Sequence, residues 1–380
     1  MSSVLFLYLD TEWKTDTDSG TGTFDNTLYF DMLDADVGVP LTVENTPLQF
    51  AKGDKFSDGL EDEFYGAYPQ VSSMYHEAFC VSDEAEFSFD AKLFDGEIVD
   101  IRDYDVLVIS HHFFYNFYIK HLLETCPELS IIGIMEGGFQ DVTMYSPKLQ
   151  LCHREVLRSV DGYIVSNRQY KQYAETFNDN VIFLPFHVPE GHFQDVSPRT
   201  SSEDKVCLGI TSWNIDHSNF YTSILLLDAL RDAGFGLEGE IIGVKDHHQR
   251  MVADYNTLEH VSTVGFIEEG YYEYLSSFDL AIQLTNRATA GRVSAEFAGV
   301  GVPVIGNKYD YLQQRCWPEL SIEPYDIRRA TKLAKELLTN DDFYRESVAK
   351  ARDEISSLQE YDETAAKLES FLASTVAADS

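Results

Sequence analysis

The feature that most constrains this chain is a repeating succession of short Val, Ile and Leu runs, each followed by a longer segment whose apolar residues recur at helical spacing. A strand exposed on one face alternates apolar and polar side chains. An unbroken apolar run is instead buried on both faces, which arises when helices cover both sides of a mostly parallel sheet. In the first half the runs are VLFLYL (4–9), VLVIS (106–110), SIIGIM (130–135), GYIVS (162–166) and VIFLP (181–185). The spacing predicts a helix over 117–126 and another from Ser146-Pro147, a capping residue followed by the proline that suits a first helical position. Residues 38–100 mix aromatic and acidic side chains without a clean period and read as mixed strands and loops.

PEGHFQDVSPRTSSED (189–204) has little apolar content and much Pro, Ser and charge, the composition of a linker. Beyond it the alternation restarts. Runs at 205–212, 238–244, 261–267, 279–284 and 302–306 alternate with helical segments at 219–233, 247–255, 269–277 and 292–299, and a largely helical stretch follows from Ile327. The expected fold class is α/β, with two doubly wound Rossmann-like domains facing across a cleft. Residues 1–188 form the first, 189–204 the linker and 205–350 the second, with a helical segment, 351–380, packing back on the first. Such sheets bind ligands beyond the carboxyl ends of their strands.

A chain of 380 residues has room for two such cores. With 64 acidic against 28 basic residues the formal net charge is −36 and no basic run occurs, which opposes binding to nucleic acid or to anionic membrane surfaces. Cys80, Cys126, Cys152, Cys207 and Cys316 are odd in number and scattered. They suggest neither a disulfide framework nor a zinc site, so a reducing compartment is the simpler reading. The opening MSSVLFLYLD lacks the basic start and long apolar stretch of a signal peptide, and no apolar run is long enough to span a bilayer. A cytoplasmic protein is expected.

Residues 286–307, NRATAGRVSAEFAGVGVPVIGN, place a polar loop before a small-residue helix that carries one glutamate. The first turn of a helix leaves backbone N–H groups unpaired and partly positive, which suits an anion. Gly291 lets backbone approach a ligand, Arg292 and Val293 supply first-turn N–H groups, and the Arg292 guanidinium can fork onto phosphate oxygens. Glu296 lies one turn on, on the face of Arg292, and can accept from the hydroxyls of a ribose. The bland reading is packing, with small residues seating the helix on a sheet and Arg292 pairing with Glu296 at the surface.

The same stretch resembles the carboxyl-terminal signature of GT-B nucleotide-sugar glycosyltransferases, in particular the retaining group with two glutamates separated by seven intervening residues, a glycine between them and a closing G-x-P-V-I. Gly291 falls on the glycine, Glu296 on the second glutamate, and Gly301, Pro303, Val304 and Ile305 on the closing motif. VDGYIVSNRQYKQYAETF and NVIFLPFHVPEGHF resemble that family's exit from the first domain, and VSTVGFIEEGYYEYLSSFDLAIQLT its approach to the donor site. Two departures stand out. Ala288 occupies the place of the first glutamate, and GITSWNIDHSNF lacks the basic pair usual after the first strand of the donor domain, leaving Arg287 and Arg292 to meet a diphosphate.

In the first domain Gly20 and Gly22 of DSGTGTFDN can stand for the glycine-rich loop that GT-B enzymes carry near the reacting groups, or form a surface turn. His111 and His112 follow VLVIS and Glu136 follows SIIGIM, at strand ends facing the cleft where a catalytic group is expected, and the family that the chain resembles commonly has a histidine where Glu136 stands. Glu136 can serve as a base toward an acceptor hydroxyl or stabilise positive charge on a sugar, or else fix the turn at Gly137 and Gly138. The resemblance implies transfer of a sugar from a nucleotide-diphosphate donor to the hydroxyl of a glycan or other acceptor, with no cofactor and no metal. An epimerase of the same fold and a non-catalytic binder of glycans or nucleotide sugars are the alternatives. The sequence leaves the oligomeric state open.

Overall fold

A computed structural model describes residues 3–7, 35–40, 89–93, 97–111, 116–135, 139–143, 147–185, 193, 204–210, 219–244, 252, 254–265, 267, 270–358 and 362–378. They belong to two compact units, one built from residues up to Pro185 together with those after Glu360, the other from the residues between.

The first unit contains β1 (Val4–Leu7), β2 (Asp36–Pro40), β3 (Asp90–Leu93), β4 (Ile98–Asp100), β5 (Val106–Ser110), β6 (Ser130–Met135), β7 (Gly162–Val165) and β8 (Val181–Phe183) in one sheet. Its helices are α1 (Asn116–Thr125), α2 (Phe139–Thr143), α3 (Pro147–Ser159) and α4 (Arg168–Ala174). The strand order is β4-β3-β2-β1-β5-β6-β7-β8. From β2 to β8 across the sheet the neighbours are parallel, whereas β3 runs antiparallel to β2 and β4 antiparallel to β3. Only a few residues join β3 to β4, too few for the crossover that a parallel pair needs. These edge strands fall where the sequence shows no clean period.

The unbroken apolar runs divide between two buried faces with period two. Leu5, Leu7, Leu107, Ile109, Ile131, Tyr163 and Val165 pack under α1, α3 and α4 with Tyr118, Ile119, Leu122, Val156, Leu157, Tyr170 and Ala174. Phe6, Val106, Val108, Ile132, Ile134 and Ile164 form the opposite face. That face is covered by α11 (Asp362–Ala378, so numbered by its place at the end of the chain) through Leu368, Phe371 and Leu372. Gly162 makes room for it, since a Cβ there would lie 2.7 Å from the Phe371 ring. Full burial of each such Leu or Phe contributes about 1.5–3 kcal/mol.

The second unit holds β9 (Lys205–Ile210), β10 (Glu238–Ile242), β11 (Val261–Thr263), β12 (Leu280–Gln283), β13 (Val304–Asn307) and β14 (Ser321–Ile322). Its helices are α5 (Phe220–Asp232), α6 (Tyr271–Ser276), α7 (Arg292–Val300), α8 (Tyr311–Cys316), α9 (Ile327–Thr339) and α10 (Asp341–Leu358). All its strands are parallel, in the order β11-β10-β9-β12-β13-β14. The chain moves outward from β9 to β11, then returns to set β12 on the other side of β9. The strand order reverses between β9 and β12, and the space beyond the carboxyl ends of the strands at such a reversal is where a doubly wound sheet receives its ligand. Among the described residues no helix is long and apolar enough to cross a membrane.

Candidate functional site

The loop that leaves β12 at the reversal of strand order runs from 284 to 291 and opens α7. It is tethered along its whole length. Asn219, just before α5, donates from Nδ2 to the carbonyl of Leu284 at 2.8 Å. Thr285 Oγ1 donates to the carbonyl of Arg287 at 2.9 Å, and Asn307 Nδ2 donates to that same carbonyl at 2.9 Å. The backbone N–H of Leu312 donates to the carbonyl of Ala290 at 2.9 Å. Buried Asp310 accepts from the Thr289 hydroxyl at 2.9 Å and from the Thr289 backbone N–H, and the Gly291 N–H donates in turn to Thr289 Oγ1 at 3.1 Å.

Gly291 is the N-cap of α7 with φ +84° and ψ +30°, left-handed backbone that favours glycine, and it has no side chain of its own to cap the helix. The N–H groups of a first helical turn have no partner within the helix, so this end of α7 is electropositive. The first turn is held rigidly. Ser294 Oγ donates to Gln313 Oε1 at 2.6 Å, Gln313 Nε2 donates to the Val304 carbonyl at 3.0 Å, and Trp317 Nε1 donates to the Ser294 carbonyl at 2.9 Å. Arg292, Val293 and Arg287 are partly exposed around this end, whereas Ala288 is only 2% exposed. On this backbone a glutamate at 288 would have to displace its surroundings.

Glu296 is 2% exposed, which removes the surface ion pair with Arg292 as an account of the helix. Its Oε2 accepts from the hydroxyl of Tyr271, on α6, at 2.9 Å. Burial pushes its carboxyl up to about 7, against the opposing pull of the nearby Arg292 charge and the Tyr271 hydrogen bond. Burial, then the charge of Glu296, raises Tyr271 well above the usual phenol range, so it stays a donor. Burial likewise pushes Asp310 up to about 7, although the Thr289 hydrogen bonds and the Arg287 charge favour its ionised form. Two carboxyl groups near neutrality thus flank the start of α7, and each can accept a hydrogen bond or, when protonated, donate one.

In the first unit His111 directly follows β5 and is fully buried. Its Nδ1 is hydrogen-bonded to the Tyr163 hydroxyl, and its ring stacks on His153 with centroids 4.1 Å apart and planes inclined by 13°. His153 bonds to the Tyr170 hydroxyl, and the two phenols lie 3.4 Å apart. His111 therefore sits inside a packed His–Tyr cluster. Gly20, Gly22, His112 and Glu136 lie outside the described residues.

Tyr271, Asp310, Asn307 and Gln313 shape the site without standing out in sequence. Asp310 follows the VPVIGN strand immediately before a short helix, and that position, past the carboxyl end of a strand in a doubly wound unit, is the signal that points to it. Nothing local marks Tyr271, because its link to Glu296 spans 25 residues.

No protein-family model and no curated protein matches the sequence. Solved structures do match. Anabaena HepE, solved in complex with UDP and glucose, superposes with a TM-score of 0.61 at 11% identity over 98% of this chain and 100% of that one. Sucrose-phosphate synthase from Thermosynechococcus elongatus gives 0.58 at 15% identity over 73% and 75%. A mutant of S. aureus TarM, in complex with fondaparinux, alpha-GlcNAc-glycerol and UDP, gives 0.54 at 14% over 78% and 63%. At these identities the likeness is one of fold, and the fold shared is that of two Rossmann-like domains.

Proposed function

We propose that this chain, which has the GT-B fold, is a glycosyltransferase that moves a sugar from a nucleoside-diphosphate donor to the hydroxyl of a glycan or other acceptor. The observation that carries the reading is the start of α7, opened by left-handed Gly291 at the reversal of strand order and held rigid by the tethers from Asn307, Asp310 and Gln313. A diphosphate there would meet first-turn N–H groups of Arg292 and Val293 and the guanidinium of Arg292, with Arg287 in the loop before it. These charges stabilise the departing diphosphate as the bond to the sugar breaks. Glu296, one turn along, would hold the ribose hydroxyls. The fold match supports this, since HepE is solved with UDP-glucose and TarM with UDP.

Glu136, next in sequence after β6, is the proposed group for general-base or charge-stabilising work on the sugar side, and Gly20 and Gly22 the proposed loop near it. The buried His111 would act through what it positions. The scheme uses neither a cofactor nor a metal, and the scattered cysteines support a cytoplasmic location. The burial of Ala288, where the resemblance expects a glutamate, favours as second reading a protein that binds nucleotide sugars without transferring them. Calorimetric titration with UDP, GDP, ADP and their glucose conjugates, followed by product analysis over an acceptor panel, tests both. Turnover that requires an acceptor supports transfer, binding without turnover supports the second reading, and no binding of any nucleotide sinks both.

A further inference from the structure

The end of β13, the turn after it and the first residues of α8, residues 307–313, pack against the loop that opens α7 more closely than side chains normally allow. A Cβ on Gly291 would lie 3.0 Å from the Gln313 backbone nitrogen, 3.2 Å from the Leu312 backbone nitrogen and 3.2 Å from Asp310 Cβ. Within this contact one carboxylate oxygen, Asp310 Oδ1, collects both the backbone N–H and the hydroxyl of Thr289, while Oδ2 lies 3.5 Å from Thr285 Oγ1. The Thr289 hydroxyl is at the same time the acceptor for the Gly291 N–H. A chain of hydrogen bonds therefore runs from the carboxyl group, through Thr289, to the residue that caps α7. Asp310 is 1% exposed, and no substrate needs to touch it for this chain to operate.

We infer that Asp310 is a positioning residue that latches the 285–291 loop and thereby fixes Gly291 and the first turn of α7 in the shape that receives a nucleoside diphosphate. The inference rests on the donor-site reading above. A buried carboxyl group is a poor choice for stability alone, because taking it out of water is unfavourable unless its hydrogen bonds are met. Its bonds here are spent on the loop backbone two residues before the cap. An asparagine at 310 keeps an Oδ1 acceptor for Thr289 and offers a donor to Thr285 Oγ1 in place of Oδ2. An alanine keeps neither.

The test is UDP affinity by calorimetry together with amide hydrogen exchange over residues 285–295, for Asp310→Ala, Asp310→Asn, Thr289→Val and Thr289→Ser. The inference expects UDP binding at least tenfold weaker in Asp310→Ala, faster exchange at Thr289 and Gly291, and values close to wild type in Asp310→Asn. Thr289→Val, which removes only the hydroxyl relay, should weaken UDP several-fold, and Thr289→Ser should restore it. The Thr289 pair carries the test on its own if Asp310→Ala does not fold. Faster loop exchange with unchanged UDP affinity overturns the latch and leaves the donor site standing. A wild-type chain that binds none of UDP, GDP and ADP overturns the donor reading and the latch with it.

Discussion

Replacing Gly291 by alanine probes the fold and the proposed site together, and Gly301→Ala supplies its control. Both glycines are left-handed, with φ of +84° and +82°, one at the start of α7 and the other at its C-cap. An L-residue in that region costs roughly 1–2 kcal/mol. The surroundings then separate the two. At Gly301 the new Cβ would meet the Arg352 guanidinium at 2.6 Å, the far end of a flexible side chain that can swing aside. At Gly291 it would meet backbone nitrogens of Leu312 and Gln313 at 3.2 and 3.0 Å, and these cannot move without shifting α8. Overpacking of that kind adds about 1–3 kcal/mol. Urea unfolding should therefore place Gly291→Ala about 2–5 kcal/mol below wild type and Gly301→Ala about 1–2 kcal/mol below. Only the first variant distorts the turn that faces the diphosphate, so UDP titration should show a loss of tenfold or more, about 1.4 kcal/mol, at 291 and none at 301. Equal stability losses would refute the packing argument. Wild-type UDP affinity in Gly291→Ala would refute the placement of the donor at this helix end.

Other outcomes follow from the buried polar groups and the charge. Glu296 has its folded pKa raised to about 7 from 4.5, so the folded state binds the extra proton between those values and stability declines as pH rises through that window, by roughly 3 kcal/mol for this group. Glu296→Gln should flatten that part of the pH–stability curve and weaken UDP binding above pH 7; an unchanged slope would show that the carboxyl is solvated. Tyr163→Phe removes the hydroxyl bonded to His111 inside a sealed cluster and should cost about 1–3 kcal/mol in urea unfolding, while a neutral result would mean that the imidazole finds another partner. With a net charge of −36, potassium chloride should raise the melting temperature by screening self-repulsion, and a fall on adding salt would contradict that account.

The sequence by itself determined the elements that carry both sheets, because a run such as VLVIS or SIIGIM is apolar at every step only when both faces are buried, and the following helical period supplies the cover. It also located the opening of α7, since Gly291 at a strand-to-helix turn is a local signal read within a few residues. Local pattern did not resolve β2, β3 and β4, whose short lengths and mixed composition leave no period to count. What covers the second face of the first sheet, α11 with Phe371 against Gly162, was decided by contacts between residues some 200 positions apart. The character of the site was decided the same way. Glu296 read as a helix-face carboxylate becomes a buried acid under the Tyr271 hydroxyl, His111 turns inward to Tyr163 and His153, and Asp310 acquires its hold on Thr289. Periodicity reports how a residue sits relative to its own neighbours in sequence. Burial, protonation and hydrogen bonding depend on which distant side chain fills the remaining space, and that follows only once the sheets have closed.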